Sequence, residues 1–412
     1  MKFWANLKSS LGDEKRFWPL AAAILGIVSF LKGFRRPCPW ASTQALVNYD
    51  HGIIKRGFFG ATFGKVFQLS HYLNFSIFSY LFLYILFRLL VKLIQTSGVA
   101  SRIGNGEVVA LFFSSAVISY LGVLVGYLDI PLAVLTLVLL GIANPTKRFI
   151  VAIPLCIVGV MIHEMFLVGF LPVILFSFVL DAFKAESVAR RKRMFFQTAG
   201  LAVVCLGTTS FLAMKGLVSA TMAKALETEA SKRTDFWVDP NVYLALTRNA
   251  KDNFLDMAHS YMGVPEWRIQ FLAALIIFLP LALVLGKTII DMLRPKEAQT
   301  FPKWVVFAAL AAMLAPLVLN ALGSDCARWN MLACLDGFLI LMLICRTRPH
   351  QTLQVRPAMR NVVILLVAIH LATSEFPMGM APNAPGANPY PFSAKASQFL
   401  YQVESRTWHP QR

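Results

Sequence analysis

The stretch IQFLAALIIFLPLALVLGKTII, residues 269–290, decides the fold class of this chain. It is apolar almost throughout, it carries one charged residue, and its apolar positions do not alternate with polar ones. Only helices and closed barrels satisfy their backbone groups in hydrocarbon, and a helix needs about 20 residues to cross it. Because barrel strands alternate in polarity, this stretch predicts a membrane-spanning helix.

Similar apolar runs recur along the chain and predict an all-α, polytopic integral membrane protein. We expect about 11 transmembrane helices, within a range of about 9 to 12, because some runs are short enough to be tilted or re-entrant. The predicted spans lie near residues 17–34, 75–94, 107–127, 130–143, 149–163, 165–182, 195–213, 269–290, 304–322, 329–345 and 360–373.

Composition supports the membrane class and argues against nucleic acid as a partner. Of the 412 residues, 57% are hydrophobic and 15% are charged, and the mean hydropathy is +0.62. A water-soluble domain cannot bury that much apolar surface in one core. The net charge of +18 comes from short basic blocks between apolar runs, which membrane orientation and anionic lipid explain.

The basic blocks also predict the orientation. With the N-terminus in the cytoplasm and an uncleaved first span, most of them fall inside, as the positive-inside rule requires. One loop, residues 35–74, does not follow this rule, because it falls outside yet carries several lysines and arginines. We therefore expect one multi-span domain over residues 1–373, with outer loops near 35–74 and 214–268, followed by an extracytoplasmic tail, residues 374–412.

Four of the six cysteines fall within predicted spans, where they act as small apolar side chains. Cys38 and Cys326 are predicted to face solvent, where they could pair in an oxidising compartment, although two cysteines do not make a disulfide framework.

Five polar features from separate parts of the chain fall at the outer face in this topology. Ionisable groups near the end of a span are costly unless they are hydrated or paired, so their convergence predicts a wet cavity. The features are residues 50–56, Asp129, His163 with Glu164, the loop 214–268, and residues 325–328.

The first feature is NYDHGIIKRGFFG, residues 48–60. Asp50 and His51 stand beside the cations Lys55 and Arg56, so the loop could present a carboxylate base while the cations hold a phosphate. The alternative is that Asp50 and Arg56 pair with each other and that the glycines allow close packing.

His163 and Glu164 lie between two apolar runs and resemble the start of a zinc-protease motif. The second histidine of that motif is replaced by Leu167, so the helical pair of zinc ligands that a metalloprotease needs is missing. The pair is either a polar hairpin tip or a cavity-lining acid and sugar-hydroxyl binder.

The last feature, residues 325–328, brings together Asp325, Arg328 and the following Trp329. Arg328 could clamp a phosphate and Trp329 could stack on a sugar ring, or both could simply anchor a span at the interface. Asp129 is a further substrate-binding candidate, with a helix cap as the alternative.

Taken together, the uncleaved first span, the acid in the first outer loop and the polar groups at one face resemble the GT-C class of membrane glycosyltransferases. Residues 49–60, with Asp325, Arg328 and Trp329, look more narrowly like bacterial surface-polysaccharide proteins of the O-antigen type. The resemblance implies a bacterial inner-membrane enzyme whose site faces the periplasm. Its expected partners are the lipid bilayer, a polyprenyl-phosphate-linked sugar and a glycan acceptor.

By this resemblance Asp50 is the base that deprotonates the acceptor, with Glu164 as a second catalytic candidate, and Arg56 or Arg328 holds the carrier phosphate. Many GT-C enzymes carry two acids together or one residue apart, whereas His51 and Gly52 follow Asp50 here. No metal or other cofactor is therefore predicted, although a divalent metal remains compatible with the class.

Other functions need nearly the same parts. An oligosaccharide polymerase or ligase is not separated from a transferase by sequence, and a transporter or flippase of lipid-linked glycans predicts polar residues near the bilayer midplane instead. An acyltransferase with His163 as base and a structural envelope subunit are further alternatives. ATP-driven transport and thiol redox chemistry lack their motifs.

Overall fold

The structure, a computed structural model, describes residues 14–99, 106–263, 265–294, 301–323, 325–348 and 357–372. All regular secondary structure in these ranges is helical. In the first half the helices are α1 Glu14–Gly33, α2 Pro39–Gln44, α3 Gly57–Phe59, α4 Tyr72–Ser97, α5 Gly106–Ser114, α6 Ala116–Val123, α7 Asp129–Gly141, α8 Pro145–Ile162 and α9 Phe166–Gly169.

In the second half the helices are α10 Leu171–Lys184, α11 Val188–Lys215, α12 Ala220–Arg233, α13 Pro240–Thr247, α14 Ala250–Gly263, α15 Pro265–Leu293, α16 Lys303–Leu314, α17 Cys326–Thr347 and α18 Pro357–Ala372. A π-helical turn, Gly60–Gly64, continues α3, and a 3-10 helix, Ala315–Ala321, continues α16.

The all-α membrane class is confirmed, but the prediction of about 11 full-length spans is not supported. Among the described residues, 6 helices are long and apolar enough to cross a membrane, or up to 7 if the bent pair α5 and α6 is one span. The six are Tyr72–Ser97, Pro145–Ile162, Val188–Lys215, Gln270–Leu293, Lys303–Ala321 and Cys326–Thr347. Trp18–Gly33 and Asp129–Gly141 are shorter apolar helices.

Local breaks interrupt two of the predicted spans, and others correspond to described helices that are too short to cross a membrane. The run near 107–127 bends by 45° between α5 and α6, where the Ser115 hydroxyl accepts a hydrogen bond from the Val117 amide and so begins a new helix. The run near 165–182 is divided at Phe170, which leaves the single turn α9 before α10. Hydropathy does not reveal such breaks, because the interrupted segments stay apolar.

Helix α17 forms the centre of the bundle. It packs against α15, α16, α10, α6 and α4, and every residue from Cys326 to Cys345 is buried. Phe338 stacks on Phe112 of α5 with ring centroids 3.9 Å apart. A helix that is buried on all sides has its position fixed by several neighbours at once.

The two long connections share one hydrophobic core at one end of the bundle. We call residues 34–71 the first loop and residues 216–263 the second loop. The core contains Leu46, Val47 and Ile54 of the first loop, packed with residues of the second loop such as Phe236 and Tyr243. The second loop contains the helices α12, α13 and α14, and α12 and α13 pack onto the first loop.

The prediction that Cys38 and Cys326 face solvent is wrong. Both thiols are free and buried. Cys38 donates to the Tyr127 hydroxyl at 3.3 Å, and the Cys326 sulfur lies 2.7 Å from the Tyr261 hydroxyl. Each thiol is therefore engaged with a tyrosine. The predicted tail, residues 374–412, lies outside the described residues.

Candidate functional site

Arg56 and Glu164 form a forked ion pair between the first loop and the end of α8. The Arg56 Nε lies 3.0 Å from both carboxylate oxygens, and its Nη2 donates to Oε1. Helix α3 packs against α8, which brings the two residues together. The alternative pairing of Arg56 with Asp50 is therefore wrong.

The backbone of the first loop is specialised around Arg56. This residue has a φ of 65°, a left-handed conformation that is unusual for a side chain with a Cβ. Gly57 lies against the Tyr49 ring, and a Cβ on Gly60 would lie 2.2 Å from the Val47 carbonyl oxygen. The glycines therefore let α3 lie directly on residues 45–49, as the close-packing alternative predicted.

Glu164 is kept ionised. Although burial opposes it, the Arg56 guanidinium holds the pKa of the Glu164 carboxyl well below its usual range. The carboxylate is only partly covered, with 35% of its side chain exposed. It can therefore accept a hydrogen bond from a ligand hydroxyl while it stays paired with Arg56.

His163 is buried beside Glu164, where the chain leaves α8 in an extended conformation. Its Nδ1 accepts a hydrogen bond from the Met165 amide at 3.2 Å and lies 3.3 Å from Glu164 Oε2. Burial, followed by the charge of Arg56, lowers the pKa of His163 to about 4. The imidazole is therefore neutral at physiological pH, and its Nδ1 acts as an acceptor.

Arg328, at the start of α17, forms a second forked pair with Asp129, the first residue of α7. Nε donates to Oδ1 at 2.8 Å and Nη2 donates to Oδ2 at 2.6 Å. Both side chains are almost fully buried. Because Arg328 is buried, it does not fit the alternative of an interfacial anchor. Asp129 does not fit the alternative of a helix cap, because no side chain caps α7.

The two ion pairs are joined through residues 163–165. Met165 donates its amide to His163, and its sulfur lies 3.2 Å from Arg328 Nη2. Both arginines also act electrostatically on the His163 ring. We call Arg56, His163, Glu164, Asp129 and Arg328 the two-arginine cluster.

Asp325 and Trp329 flank Arg328. Asp325 accepts from Arg328 Nη1 at 3.2 Å, and the Arg328 guanidinium lies over the Trp329 ring, 4.5 Å from its centroid. Trp329 is buried, so its ring supports Arg328 and is not open for stacking on a sugar in this conformation.

The other candidates in the first loop lie outside the cluster. Asp50 is exposed and accepts from Lys65 Nζ at 2.9 Å, a hydrogen bond that lowers the pKa of the Asp50 carboxyl. His51 lies 2.8 Å from the Glu229 carboxylate of α12. Among the described residues, no hydrogen bond or ion pair joins Asp50 or His51 to Arg56 or Arg328.

Lys55 ties the two loops together next to the cluster. Its amide donates to the Gly216 carbonyl at 3.0 Å, and its amine donates to the Arg248 carbonyl at 2.6 Å. Burial, followed by the neighbouring Arg56 charge, lowers the pKa of Lys55 to about 8. The contacts make Lys55 a structural clamp beside the site.

Within the described ranges, no group of three or more His, Cys, Asp or Glu side chains is arranged to hold a metal ion. The cluster itself pairs each carboxylate with a guanidinium.

Sequence reasoning missed two acids within the helical bundle, Asp181, which is partly buried, and Asp336, which is fully buried. Asp181 of α10 pairs with Arg148 of α8. Asp336 lies inside α17, fully buried. A lone acid within the apolar run 329–345 was the available signal for Asp336.

Fold and site together define an all-α integral membrane protein with a two-arginine cluster, partly buried, at one end of its bundle. Comparisons with protein-family models, with curated proteins and with solved structures each find no match to this chain. The functional argument therefore rests on the geometry of the site.

Proposed function

We propose that the protein is a GT-C-type membrane glycosyltransferase that acts in cell-surface polysaccharide synthesis. In this proposal a sugar moves from a polyprenyl-phosphate-linked donor to a glycan or lipid acceptor. The reaction takes place at the end of the bundle where the two loops pack, which we assign to the periplasmic face of a bacterial inner membrane. The N-terminus then lies in the cytoplasm.

The observation that carries the proposal is the convergence of Arg56, Glu164 and Arg328 from three distant segments. Arg56 uses Nε and Nη2 for Glu164. Among the described residues its Nη1 has no acceptor, which leaves two donors for a phosphate oxygen. Arg328 is more fully engaged, since Asp129 and Asp325 together use all three of its nitrogens.

In the proposed reaction, the cluster transfers the sugar from the carrier phosphate to the acceptor in one step. The acceptor oxygen attacks the anomeric carbon of the sugar and forms the new glycosidic bond, while the bond from that carbon to the phosphate oxygen breaks. The acceptor proton passes to the Glu164 carboxylate and then to water. The leaving phosphate keeps the bonding electrons, and Arg56 stabilises its charge.

Glu164 takes the role of base in this proposal because it is ionised, partly exposed and next to Arg56, the cation that would hold the phosphate, whereas Asp50 lies outside the cluster, on Lys65. Asp50 and His51 then belong to the rim, where they would contact the acceptor. A polymerase or ligase that uses the same donor would employ the same arrangement.

Movement of lipid-linked glycans across the membrane is the second candidate. The observation that favours it is Asp336, because transporters place ionisable groups within their spans. In that case the cluster would bind the carrier headgroup without transferring its sugar.

The test compares cells that carry wild type, Glu164→Gln or Arg56→Gln at matched protein levels. Surface glycan and polyprenyl-linked sugars are measured by mass spectrometry. Glu227→Gln is the matched control, because its carboxylate pairs with Lys224 on α12, outside the cluster. We expect both cluster variants to lose surface glycan and to accumulate the lipid-linked donor, while the control behaves as wild type.

The leaflet of the accumulated donor separates the two candidates. Its sugar is oxidised by periodate added to sealed spheroplasts only if it faces outward. Outward-facing donor supports transfer, and donor trapped inside supports translocation. Unchanged surface glycan in both cluster variants refutes both candidate functions, transfer and translocation.

A further inference from the structure

Asp336 occupies the middle of the most enclosed helix of the protein. It is the eleventh of the 22 residues of α17, and none of its surface is exposed. At 1.5 Å per residue, roughly 15 Å of helix separates it from each end of this candidate span. An acid at this depth is costly and marks a functional position by default.

The Asp336 carboxyl has no partner in the part of the chain that the structure describes. Neither oxygen accepts or donates a hydrogen bond, and no ion pair joins it to a cation. Asp129, the other fully buried acid discussed above, is held by two hydrogen bonds from Arg328. Asp336 lacks such compensation.

Within the described residues, the helices around α17 do not provide Asp336 with a countercharge. Those that pack on it with charged or titratable side chains are α4, α6, α10, α15 and α16, and α5 and α7 also contact it, through the Phe112–Phe338 stack and the Asp129–Arg328 pair. Their described side chains of this kind are Tyr72, Tyr80, Tyr84, Arg88, Lys92, Glu107, Tyr120, Asp129, Asp181, Lys184, Arg268, Lys287, Asp291 and Lys303. Glu107 pairs with Arg360 and Asp129 with Arg328. Asp181 pairs with Arg148, and Lys287 pairs with Asp291. No hydrogen bond or ion pair connects any described member of this set to Asp336.

The charge state follows from these surroundings. An isolated carboxylate in an apolar interior takes up a proton instead of bearing the full cost of desolvation. The neutral carboxyl can leave its proton only where water or a cation reaches it. Water can reach Asp336 only if α17 separates from the helices that enclose it.

We propose that Asp336 is a proton-binding site inside the membrane-spanning bundle, occupied in the packed conformation, and that release of its proton is coupled to opening of the packing around α17. Arg328 lies on the same helix, about 12 Å further along the axis. A displacement of α17 therefore moves Arg328 relative to Asp129. The inference holds for either function proposed above.

The first test measures how the unfolding equilibrium in mixed detergent micelles varies between pH 6 and 9, followed by circular dichroism. Wild type is compared with Asp336→Asn, which is close in shape and always neutral, and with Asp336→Ala. The folded wild type holds one proton more than the unfolded chain. The equilibrium constant for unfolding of the wild type, divided by that of either variant, should therefore rise about tenfold per pH unit.

The second test measures amide hydrogen exchange in α17 over the same pH range. The ratio of wild-type to Asp336→Asn exchange cancels the intrinsic effect of pH. This ratio should rise with pH by up to about tenfold per unit in α17, while α12 serves as an internal reference whose ratio stays constant.

A ratio of unfolding constants that does not change with pH overturns proton binding at Asp336. A pH-dependent ratio for unfolding with a constant exchange ratio in α17 overturns the coupling to opening. A packing defect in Asp336→Asn or Asp336→Ala changes the stability of that variant by an amount that does not depend on pH. The ratio of unfolding constants should therefore have the same pH dependence with either variant as reference.

Discussion

Arg328 holds Asp129 through two parallel hydrogen bonds of 2.8 and 2.6 Å, and the two residues stand 199 positions apart in the chain. The pair fixes the start of α17 against the start of α7 in a buried setting. Removing one partner leaves the other charge buried without compensation, whereas removing both does not.

We expect Arg328→Met and Asp129→Asn each to destabilise the folded protein by about 3–5 kcal/mol. The double variant should be less destabilised than the sum of the two single variants. Unfolding in mixed micelles measures the three changes and their coupling. Simple additivity of the two single changes would show that the forked pair does not exist in solution.

A second prediction concerns the backbone of Arg56. Its left-handed conformation suits glycine, so Arg56→Gly should be more stable than Arg56→Ala by about 1 kcal/mol. This order is the reverse of the one expected for an ordinary helical position. Both variants lose the Glu164 partner equally, so their difference in melting temperature isolates the backbone effect. Greater stability of the alanine variant would contradict the conformation described for Arg56.

The glycines of the first loop give a third prediction with an internal control. A methyl group at Gly60 would meet the Val47 carbonyl, whereas at Gly64 the nearest atom lies at an ordinary 3.8 Å. Gly60→Ala should therefore destabilise the packing of the first loop by about 1–3 kcal/mol. Gly64→Ala should have little effect. Limited proteolysis of the loop measures both, and equal sensitivity of the two variants would argue against the close contact at Gly60.

Lys55 predicts a pH dependence. Its pKa falls from 10.5 to about 8 in the folded protein. Below pH 8 the amine is charged in both states, so its burial opposes folding in full. Between pH 8 and 10.5 the folded protein gives up the proton first, and stability relative to Lys55→Met should rise by about 1.4 kcal/mol per pH unit.

Thermal unfolding of wild type and Lys55→Met from pH 7 to 10 checks this sign. The difference between the two proteins should be constant below pH 8 and should change only above it. A falling relative stability of wild type over that upper window would mean that the ammonium, and not the neutral amine, is the form that the fold favours.

Apolar runs predicted the positions of the helices well, because burial in lipid imposes a length and a composition that can be read locally. They did not predict the number of full spans. The break at Ser115 depends on a hydroxyl that accepts a neighbouring amide, and the break near Phe170 leaves hydropathy unchanged. Both breaks are local conformational choices within apolar sequence.

The sequence also selected all five members of the two-arginine cluster but could not pair them. Arg56 was predicted either to bind a phosphate or to pair with Asp50. Its partner is instead Glu164, 108 positions away. Such pairings depend on how helices pack, which one sequence does not encode in a readable pattern. Asp336 was visible as a lone acid in an apolar run, yet its missing partner is evident only once its neighbours are known.

The hydrophobic core shared by the two loops has a consequence for biosynthesis. Ile54 leaves the ribosome about 170 residues before Ala223, its neighbour in that core. At about 5–20 residues per second, the first loop waits roughly 10 to 30 seconds with its apolar side chains uncovered. During that interval it is a natural client for a chaperone or for the bilayer surface, and a truncated chain that ends before residue 216 never acquires the cover.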